Sequence, residues 1–127
     1  MPGINKVATI TIAVKNQDEA LAWFTDKLGF VKRMDLSGPG MRWLTIAPKK
    51  QTEVEFLLAS WFPNHVGKNA TCVVATDDCK ATYEEFKDRG VKFSQTPQER
   101  PYGTEAVFQD LCGNNYALVQ HKQHKPM

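Results

Sequence analysis

Two halves of the sequence repeat one pattern of segments at a constant offset in residue number. A fixed offset that persists through several segments constrains a fold more strongly than the periodicity of any single segment. Only the predicted helix ends depart from it, by one residue. The offset aligns Thr9 with Thr71, Asn16 with Asp78, Phe24 with Phe86, Asp26 with Asp88, and residues 54–57 with residues 116–119. We therefore expect one unit of secondary structure to occur twice.

The first half has the pattern of one strand, one helix and three further strands. Residues 7–14 are β-branched and apolar, which predicts a strand covered on both faces. Asn16 and Glu19 form a capping pair, and apolar residues follow at helical spacing. Gly29 readily adopts the left-handed conformation that ends a helix. Together these residues predict a helix. Turns rich in Ser, Gly, Pro and Lys then separate three predicted antiparallel strands at residues 30–36, 41–47 and 53–58.

The second half follows the same plan after a loop at residues 59–69 that breaks all periodicity. A helix is predicted to begin at Asp78 and to end at Gly90, and strands are predicted at residues 71–76, 91–93, 105–109 and 115–120. The expected fold class is therefore α+β, with two tandem βαβββ modules. We expect one domain at residues 1–121, with modules at about 4–60 and 70–120, and a tail at residues 122–127 that frays.

Composition and charge fit one globular domain and argue against several other classes. The chain has 127 residues, 42% of them apolar and 24% charged, which is enough to bury a core. Its formal charge of +2 is scattered, without a run of about five like charges that would indicate a nucleic-acid or membrane surface. No export signal and no apolar window of about 18 residues is present. We predict a cytoplasmic protein with neither a nucleic-acid nor a membrane partner.

The cysteines do not follow a metal or disulfide pattern. Cys72, Cys79 and Cys112 are odd in number and lack CxxC spacing. This argues against a disulfide framework and against a thiolate zinc site. We expect buried or incidental thiols.

Three stretches of the chain carry motifs of a known family. Residues 9–30 lead from a strand into a helix that ends in Phe24-Thr-Asp-Lys-Leu-Gly-Phe30, which matches the pattern Phe/Tyr-x-x-x-Leu-Gly-Phe. Residues 76–91 and 108–119 match the second unit of that family, including the turn Asp110-Leu-Cys-Gly-Asn114. From Ile4 to Gln120 the chain resembles the vicinal oxygen chelate (VOC) superfamily, which includes glyoxalases, bleomycin resistance proteins and dioxygenases.

The resemblance implies two βαβββ modules whose curved mixed sheets close around a cavity, and commonly a homodimer. In metal-using members, the ligands lie on the cavity face of the first and last strand of each module. Carried onto this sequence, the four ligand positions are Thr9, Glu55, Thr71 and Ala117. The constant offset between the halves pairs Thr9 with Thr71 and Glu55 with Ala117.

These four positions depart from the metal-using pattern. Catalytic divalent metals need about three imidazole, carboxylate or amide ligands, and only Glu55 qualifies. The histidines, His65, His121 and His124, lie at none of the ligand positions, which argues against an iron dioxygenase. We predict no metal and no cofactor, although recruitment of a metal by His65 and Glu105 remains an alternative.

Glu55 has more than one interpretation. It is a candidate general base, a partner for a cationic ligand, or a solvated glutamate near Glu53 at a strand edge. If Glu55 faces the cavity, Thr9, Thr11 and Thr71 offer hydroxyls that orient a small polar ligand.

Aromatic residues provide candidates for the wall of a binding pocket. We predict ligand contact for Trp43, Trp61 and Tyr102, and a core position for Phe108. The segment from Arg100 to Gly103 resembles the Pro-Trp/Tyr-Gly segment that edges the cavity in the family. The predicted ligand-binding set is Thr9, Thr11, Trp43, Glu55, Trp61, Thr71, Tyr102 and Ala117.

Three functions follow from these residues, because the fold alone does not determine a reaction. The first is metal-independent binding of a small organic molecule, aromatic or antibiotic-like, without chemistry. The second is a metal-dependent lyase, isomerase or dioxygenase, as the resemblance implies. The third is metal-free acid–base catalysis by Glu55.

Overall fold

The elements of the computed structural model, which describes residues 2–51 and 53–122, follow the order βαβββ twice. The chain divides after Gly67 into two compact units, called unit 1 and unit 2 here, and each contains one module. Unit 1 contains β1 (Thr9–Ala13), α1 (Gln17–Leu28), β2 (Val31–Gly38), β3 (Met41–Ala47), β4 (Glu55–Ala59) and a 3₁₀ turn (Pro63–His65). Unit 2 contains β5 (Cys72–Ala75), α2 (Cys79–Asp88), β6 (Lys92–Arg100), β7 (Gly103–Gln109) and β8 (Asn115–His121). The α+β fold with two βαβββ modules is confirmed.

Each unit has one mixed sheet of four strands. The strand order is β1-β4-β3-β2 in unit 1 and β5-β8-β7-β6 in unit 2. In both sheets the first strand is parallel to the last strand of its module, and the other neighbours are antiparallel. The first and last strands of a module therefore lie side by side, so their side chains share the two faces of the sheet.

Both helices begin where the capping residues predict. The side chain of Asn16 accepts a hydrogen bond from the backbone N–H of Glu19 at 2.9 Å, and Asp78 accepts one from Ala81 at 3.0 Å. These bonds satisfy backbone donors that the first turn of a helix leaves without partners. Gly29 ends α1 in the left-handed conformation, with a φ of 73°.

The turn before β8 is fixed by a buried carboxylate. Asp110 Oδ1 accepts hydrogen bonds from the backbone N–H groups of Cys112 and Asn114, at 2.8 and 3.1 Å. Asp110 Oδ2 accepts from Asn114 Nδ2 at 3.0 Å and from the hydroxyl of Tyr116 at 2.7 Å. The Asp-x-x-Gly-Asn motif is thus a structural turn that anchors the start of β8.

Most strand bounds differ from the predicted ones by one or two residues, and the predictions for the first strand and for β6 need further correction. The first strand is Thr9–Ala13 rather than residues 7–14, and it is not covered on both faces, because it is an edge strand in which Ile10 and Thr11 are exposed. The strand predicted at residues 91–93 extends through Lys92–Arg100. Its later residues are mostly polar and include Pro97, but β6 is also an edge strand, where a missing N–H does not interrupt the sheet.

The constant offset between the halves does not hold for the last strand. β3 and β7 keep it, but β3 pairs Thr45 with Leu57 whereas β7 pairs Val107 with Ala117. Leu57 therefore corresponds to Ala117 rather than to Val119, because the segment before β8 is shorter than the one before β4. The predicted equivalence of Glu55 and Ala117 is wrong, and the residue equivalent to Glu55 is Asn115.

Within the described residues, no helix is both long and apolar enough to cross a bilayer. The backbone N–H of Lys122 donates to the carbonyl of Tyr102 at 3.0 Å. Lys122 is the first residue of the predicted tail, and residues 123–127, which include His124, lie outside the described residues.

Candidate functional site

One face of the unit 1 sheet packs against α1, and the opposite face carries several predicted site residues. The ring of Phe56 on β4 lies 6.1 Å from that of Phe30, which lies 5.6 Å from that of Phe24 in α1. Side chains alternate along a strand, so Glu55 points away from this cluster. In each unit we call the sheet face opposite the helix the helix-free face.

Thr9, Thr11 and Glu55 share the helix-free face of unit 1. The parallel strands β1 and β4 pair Thr9 with Glu55 and Thr11 with Leu57, which places these side chains on one side. Glu55 is half-buried, and its Oε1 accepts a hydrogen bond of 2.7 Å from the hydroxyl of the fully buried Thr45. The carboxylate is therefore held in a fixed position beside hydroxyl groups.

Trp43 lies on the same face, two residues before Thr45, next to exposed apolar side chains. β2 pairs Leu36 with Trp43 and Met34 with Thr45. Leu36 is 60% exposed, and Met34 and Met41 are exposed as well. A contiguous exposed apolar surface indicates binding of a ligand or partner. The helix-free face of unit 1 thus combines a polar strip on β1 and β4 with an apolar strip on β2 and β3.

Trp61 lies outside the sheet, in the segment after β4. Its ring centroid is 5.9 Å from that of Phe62, and Phe62 in turn contacts the ring of His65 edge-on at 5.9 Å. All three side chains are exposed. Trp61 therefore belongs to an aromatic cluster of the connecting segment rather than to the strip that contains Trp43.

In unit 2, the helix face of the sheet is marked by Phe108, whose ring lies 6.1 Å from that of Phe86 in α2 and stacks on Tyr116 at 5.2 Å. Phe108 is fully buried, as expected for a core residue. By alternation, Asn115 and Ala117 point to the helix-free face. Ala117 thus lies on the helix-free face and has no ligating group.

Asn115 is enclosed by amide side chains. Its backbone N–H donates to Asn69 Oδ1 at 2.8 Å, and its carbonyl accepts from Asn69 Nδ2 at 3.1 Å. Its own Oδ1 accepts a 3.2 Å hydrogen bond from Gln109 Nε2. Thr71, one residue before β5, is exposed. Where unit 1 has a carboxylate, unit 2 therefore has a neutral amide.

Tyr102 belongs to a polar cluster on the helix-free face of unit 2. Its hydroxyl donates to Glu105 Oε2 at 2.7 Å, and Gln95 Nε2 lies 3.3 Å from Glu105 Oε1. Arg100 donates to Gln95 Oε1 at 3.2 Å, and its Nε lies 3.6 Å from Glu105 Oε1. We call Gln95, Arg100, Tyr102 and Glu105 the Glu105 cluster.

Hydrogen bonding shifts two pKa values in the Glu105 cluster. The hydrogen bond from Tyr102, with help from Gln95 and Arg100, lowers the pKa of Glu105. The same bond raises the pKa of Tyr102, because the phenol stays protonated while it donates to a carboxylate. Glu105 is therefore an anion that is held by three neighbouring side chains.

The predicted ligand positions do not suit a metal within either unit. Unit 1 offers the carboxylate of Glu55 beside the hydroxyl of Thr9. Unit 2 offers the amide of Asn115 and the exposed hydroxyl of Thr71. Residues 2–51 and 53–122 contain no group of three His, Cys, Asp or Glu side chains placed to hold an ion. Since a catalytic metal needs about three strong ligands, these donor sets fall short.

Other reactive side chains have structural surroundings. Cys79 is buried and donates from Sγ to the carbonyl of Leu118 at 3.5 Å, and burial raises its pKa and that of Cys72. Neither thiol is therefore activated as a nucleophile. An open depression of about 580 Å³ in unit 2 is lined by Asp77, His121 and their neighbours, and contains no predicted site residue.

Several polar residues on the helix-free faces were missed from the sequence: Thr45, Gln95, Gln109 and Asn115. Asn115 had a usable signal, because the segment between the last two strands is shorter in the second half. Thr45 and Gln95 had none, since their partners depend on strand register, which the sequence pattern left open.

Comparison with known proteins identifies similar chains along nearly the whole sequence. The family model described as the Glyoxalase/Bleomycin resistance protein/Dioxygenase superfamily matches residues 4–118. The protein YurT from Bacillus subtilis (strain 168), whose function is uncharacterized, is 34% identical over 126 residues, which covers 91% of this chain and 98% of YurT.

Two crystal structures share the fold and a substantial part of the sequence. TnmS3, an antibiotic binding protein from Streptomyces sp. CB03234, is 30% identical and has a TM-score of 0.86. The match covers 96% of this chain and 100% of TnmS3. UcmS2 is 36% identical, with a TM-score of 0.83 over 93% of this chain and 99% of UcmS2.

Proposed function

Since the chain belongs to the glyoxalase/bleomycin resistance protein/dioxygenase superfamily, we propose that it binds a small organic molecule, aromatic or antibiotic-like, without a metal ion. Proteins of this superfamily use one fold for several reactions and for binding alone, so the function must be inferred from the residues of the site. The antibiotic-binding TnmS3, which is 30% identical, supports a binding function.

One observation carries the proposal: the helix-free face of unit 1 places an aromatic and apolar strip beside a fixed polar group. Trp43 and the exposed Leu36 and Met34 offer apolar surface on β2 and β3. The hydrogen-bonded pair of Thr45 and Glu55 joins β3 to β4 beside this surface. Small-molecule sites are mostly apolar, with a few placed polar groups that orient the ligand. Thr9 and Thr11 add hydroxyls to the polar side.

The alternatives need groups that these residues do not supply. A metal-dependent lyase, isomerase or dioxygenase requires a set of about three strong ligands. Acid–base catalysis by Glu55 requires a second group that stabilises developing charge, and the hydrogen-bond partner of Glu55 is the neutral hydroxyl of Thr45. Binding without chemistry requires neither.

The family resemblance implies association of two chains. We further propose that residues 1–121 act as a single domain, and that two chains associate as a homodimer in the cytoplasm. Sedimentation velocity tests the association, since a dimer has twice the mass of the 14.3 kDa chain.

The binding proposal is tested by titrating the protein with phenylnaphthylamine, an uncharged aromatic probe whose own fluorescence rises in apolar surroundings. We expect saturable binding to the wild type. Trp43→Ala should weaken it by about tenfold, since loss of an aromatic contact costs on the order of 1.5 kcal/mol. Trp23→Ala, which removes a tryptophan from α1, is the matched control and should leave the affinity within about twofold.

Glu55→Gln separates binding from catalysis. The glutamine keeps an oxygen that accepts from Thr45 and removes the charge. Affinity for the uncharged probe should therefore change by less than about threefold.

Equal loss of binding in Trp43→Ala and Trp23→Ala would contradict the proposed site.

A further inference from the structure

In the Glu105 cluster, the carboxylate is less exposed than the aromatic and cationic side chains that hold it. Glu105 is 16% exposed, whereas the side chains that hold it, Tyr102 and Arg100, are each more than 40% exposed. The anion thus lies beneath two exposed groups, one aromatic and one cationic. The cluster presents a ring and a guanidinium to the surroundings rather than a carboxylate.

The hydrogen bonds define which groups remain available for a ligand. Tyr102 uses its only hydroxyl proton on Glu105 at 2.7 Å, which fixes the ring through its hydroxyl end. A guanidinium carries five N–H donors, and Arg100 directs one at Gln95 at 3.2 Å and its Nε toward Glu105 at 3.6 Å. The remaining donors of Arg100 can bind an acceptor oxygen beside the ring of Tyr102.

From this geometry we propose that Glu105 is a positioning residue that holds Tyr102 and Arg100 as a subsite for a planar aromatic ligand bearing an anionic oxygen group. The ligand ring packs on Tyr102, and its oxygen accepts from Arg100. This inference rests on the proposed small-molecule binding function and names a class of ligand for it. Sheet register supports a shared face, since β6 pairs Gln98 with Glu105 and Arg100 with Gly103.

Two fluorescent probes that share one ring system test the ligand class. Anilinonaphthalene sulfonate carries an anionic sulfonate, and phenylnaphthylamine lacks it. We expect the wild type to bind the sulfonate about tenfold more tightly, the size of one charge-assisted hydrogen bond. Arg100→Gln should remove most of this preference.

Glu105→Gln tests positioning. It should weaken binding of the sulfonate probe by about fivefold, because neither Tyr102 nor Arg100 then has a charged anchor. Glu99→Gln is the matched control: Glu99 lies on the same sheet and accepts from Thr104, which is on the opposite face. Its affinity for both probes should stay within about twofold of the wild type.

Ionisation of Tyr102 gives a second readout that needs no ligand. The difference in ultraviolet absorbance between each protein and its Tyr102→Phe form isolates the phenolate signal during alkaline titration. Glu105→Gln should lower the pKa of Tyr102, since the carboxylate hydrogen bond raises it, and Glu99→Gln should not. If Glu105→Gln fails to fold, as judged by circular dichroism, Tyr102→Phe and Arg100→Gln carry the binding test.

The outcomes distinguish this inference from the function on which it rests. Saturable binding of both probes with equal affinity, or equal effects of Glu105→Gln and Glu99→Gln, would overturn the subsite and leave the binding function standing. Absence of saturable binding of either probe to the wild type would overturn both.

Discussion

At the residue scale, the buried carboxylate of Asp110 is stabilised by the hydrogen-bond donors around it. Asp110 is 6% exposed and accepts bonds from two backbone groups and two side chains. Burial and the neighbouring Asp110 raise the pKa of Tyr116, so its hydroxyl remains a donor. A carboxylate that is out of water is stable only when such donors surround it.

Tyr116→Phe should therefore destabilise the fold. It removes the hydroxyl that donates to Asp110 Oδ2 at 2.7 Å and keeps the ring that stacks on Phe108. We expect the free energy of unfolding to fall by about 1–3 kcal/mol, the cost of leaving a buried acceptor short of a partner. Urea denaturation measures this. Tyr83→Phe in α2, where the ring packs on Phe93, is the control and should change stability by less than about 0.5 kcal/mol.

Glu105 makes a pH-dependent contribution to stability. Its pKa is lowered in the folded state, chiefly by the hydrogen bond from Tyr102, so the charged form is favoured by folding. This contribution is complete above the pKa of an unfolded glutamate, about 4.3, and is lost as the pH falls through the lowered value. Glu105→Gln should therefore be less stable than the wild type at about pH 7, and the difference should shrink below about pH 4. A difference that grows on acidification would contradict the assignment.

At the scale of elements, the predictions that succeeded rest on local chemistry. Capping residues predicted both helix starts, and turn residues predicted β3 at residues 41–47 without error. The failures concern neighbours in space. The length of β6 depends on its pairing with β7, and its Pro97 is tolerated because nothing within the sheet pairs beyond this edge.

The start of β7 depends on the absence of a side chain at Gly103. A Cβ built there would lie 2.0 Å from the backbone oxygen of Gln120 on β8, and the φ of +147° is unfavourable for other residues. This accounts physically for the glycine in the segment from Arg100 to Gly103, which the sequence identified only by resemblance.

Gly103→Ala should therefore cost about 3 kcal/mol or more of unfolding free energy, because backbone must move away from backbone. Gly38→Ala at the end of β2 is the control, since its Cβ would meet no atom within 4 Å and its φ is unstrained. The control should change stability by less than about 0.5 kcal/mol. Thermal or urea unfolding of the two variants decides the matter, and equal stabilities would refute the steric account.

For the molecule as a whole, the two modules share one fold, but their helix-free faces carry different side chains. The residue equivalent to Glu55 is Asn115, and the residue equivalent to Trp43 is Glu105. Sequence repetition predicted the two modules, but a shorter connecting segment in the second half moved the register of the last strand. Thr9, Trp43 and Glu55, which the sequence named, share the helix-free face of unit 1, whereas Thr45 on β3 and Asn115 on β8 were missed.

Above all, we propose that the chain binds an aromatic small molecule without a metal. The most direct measurement is a phenylnaphthylamine titration of protein purified without a histidine tag and dialysed against a chelator, with metal content determined by elemental analysis. We expect saturable binding with a dissociation constant that does not change after addition of zinc, nickel, manganese or ferrous iron. Binding that appears only after a metal is added, or near-stoichiometric metal that survives the chelator, would contradict it.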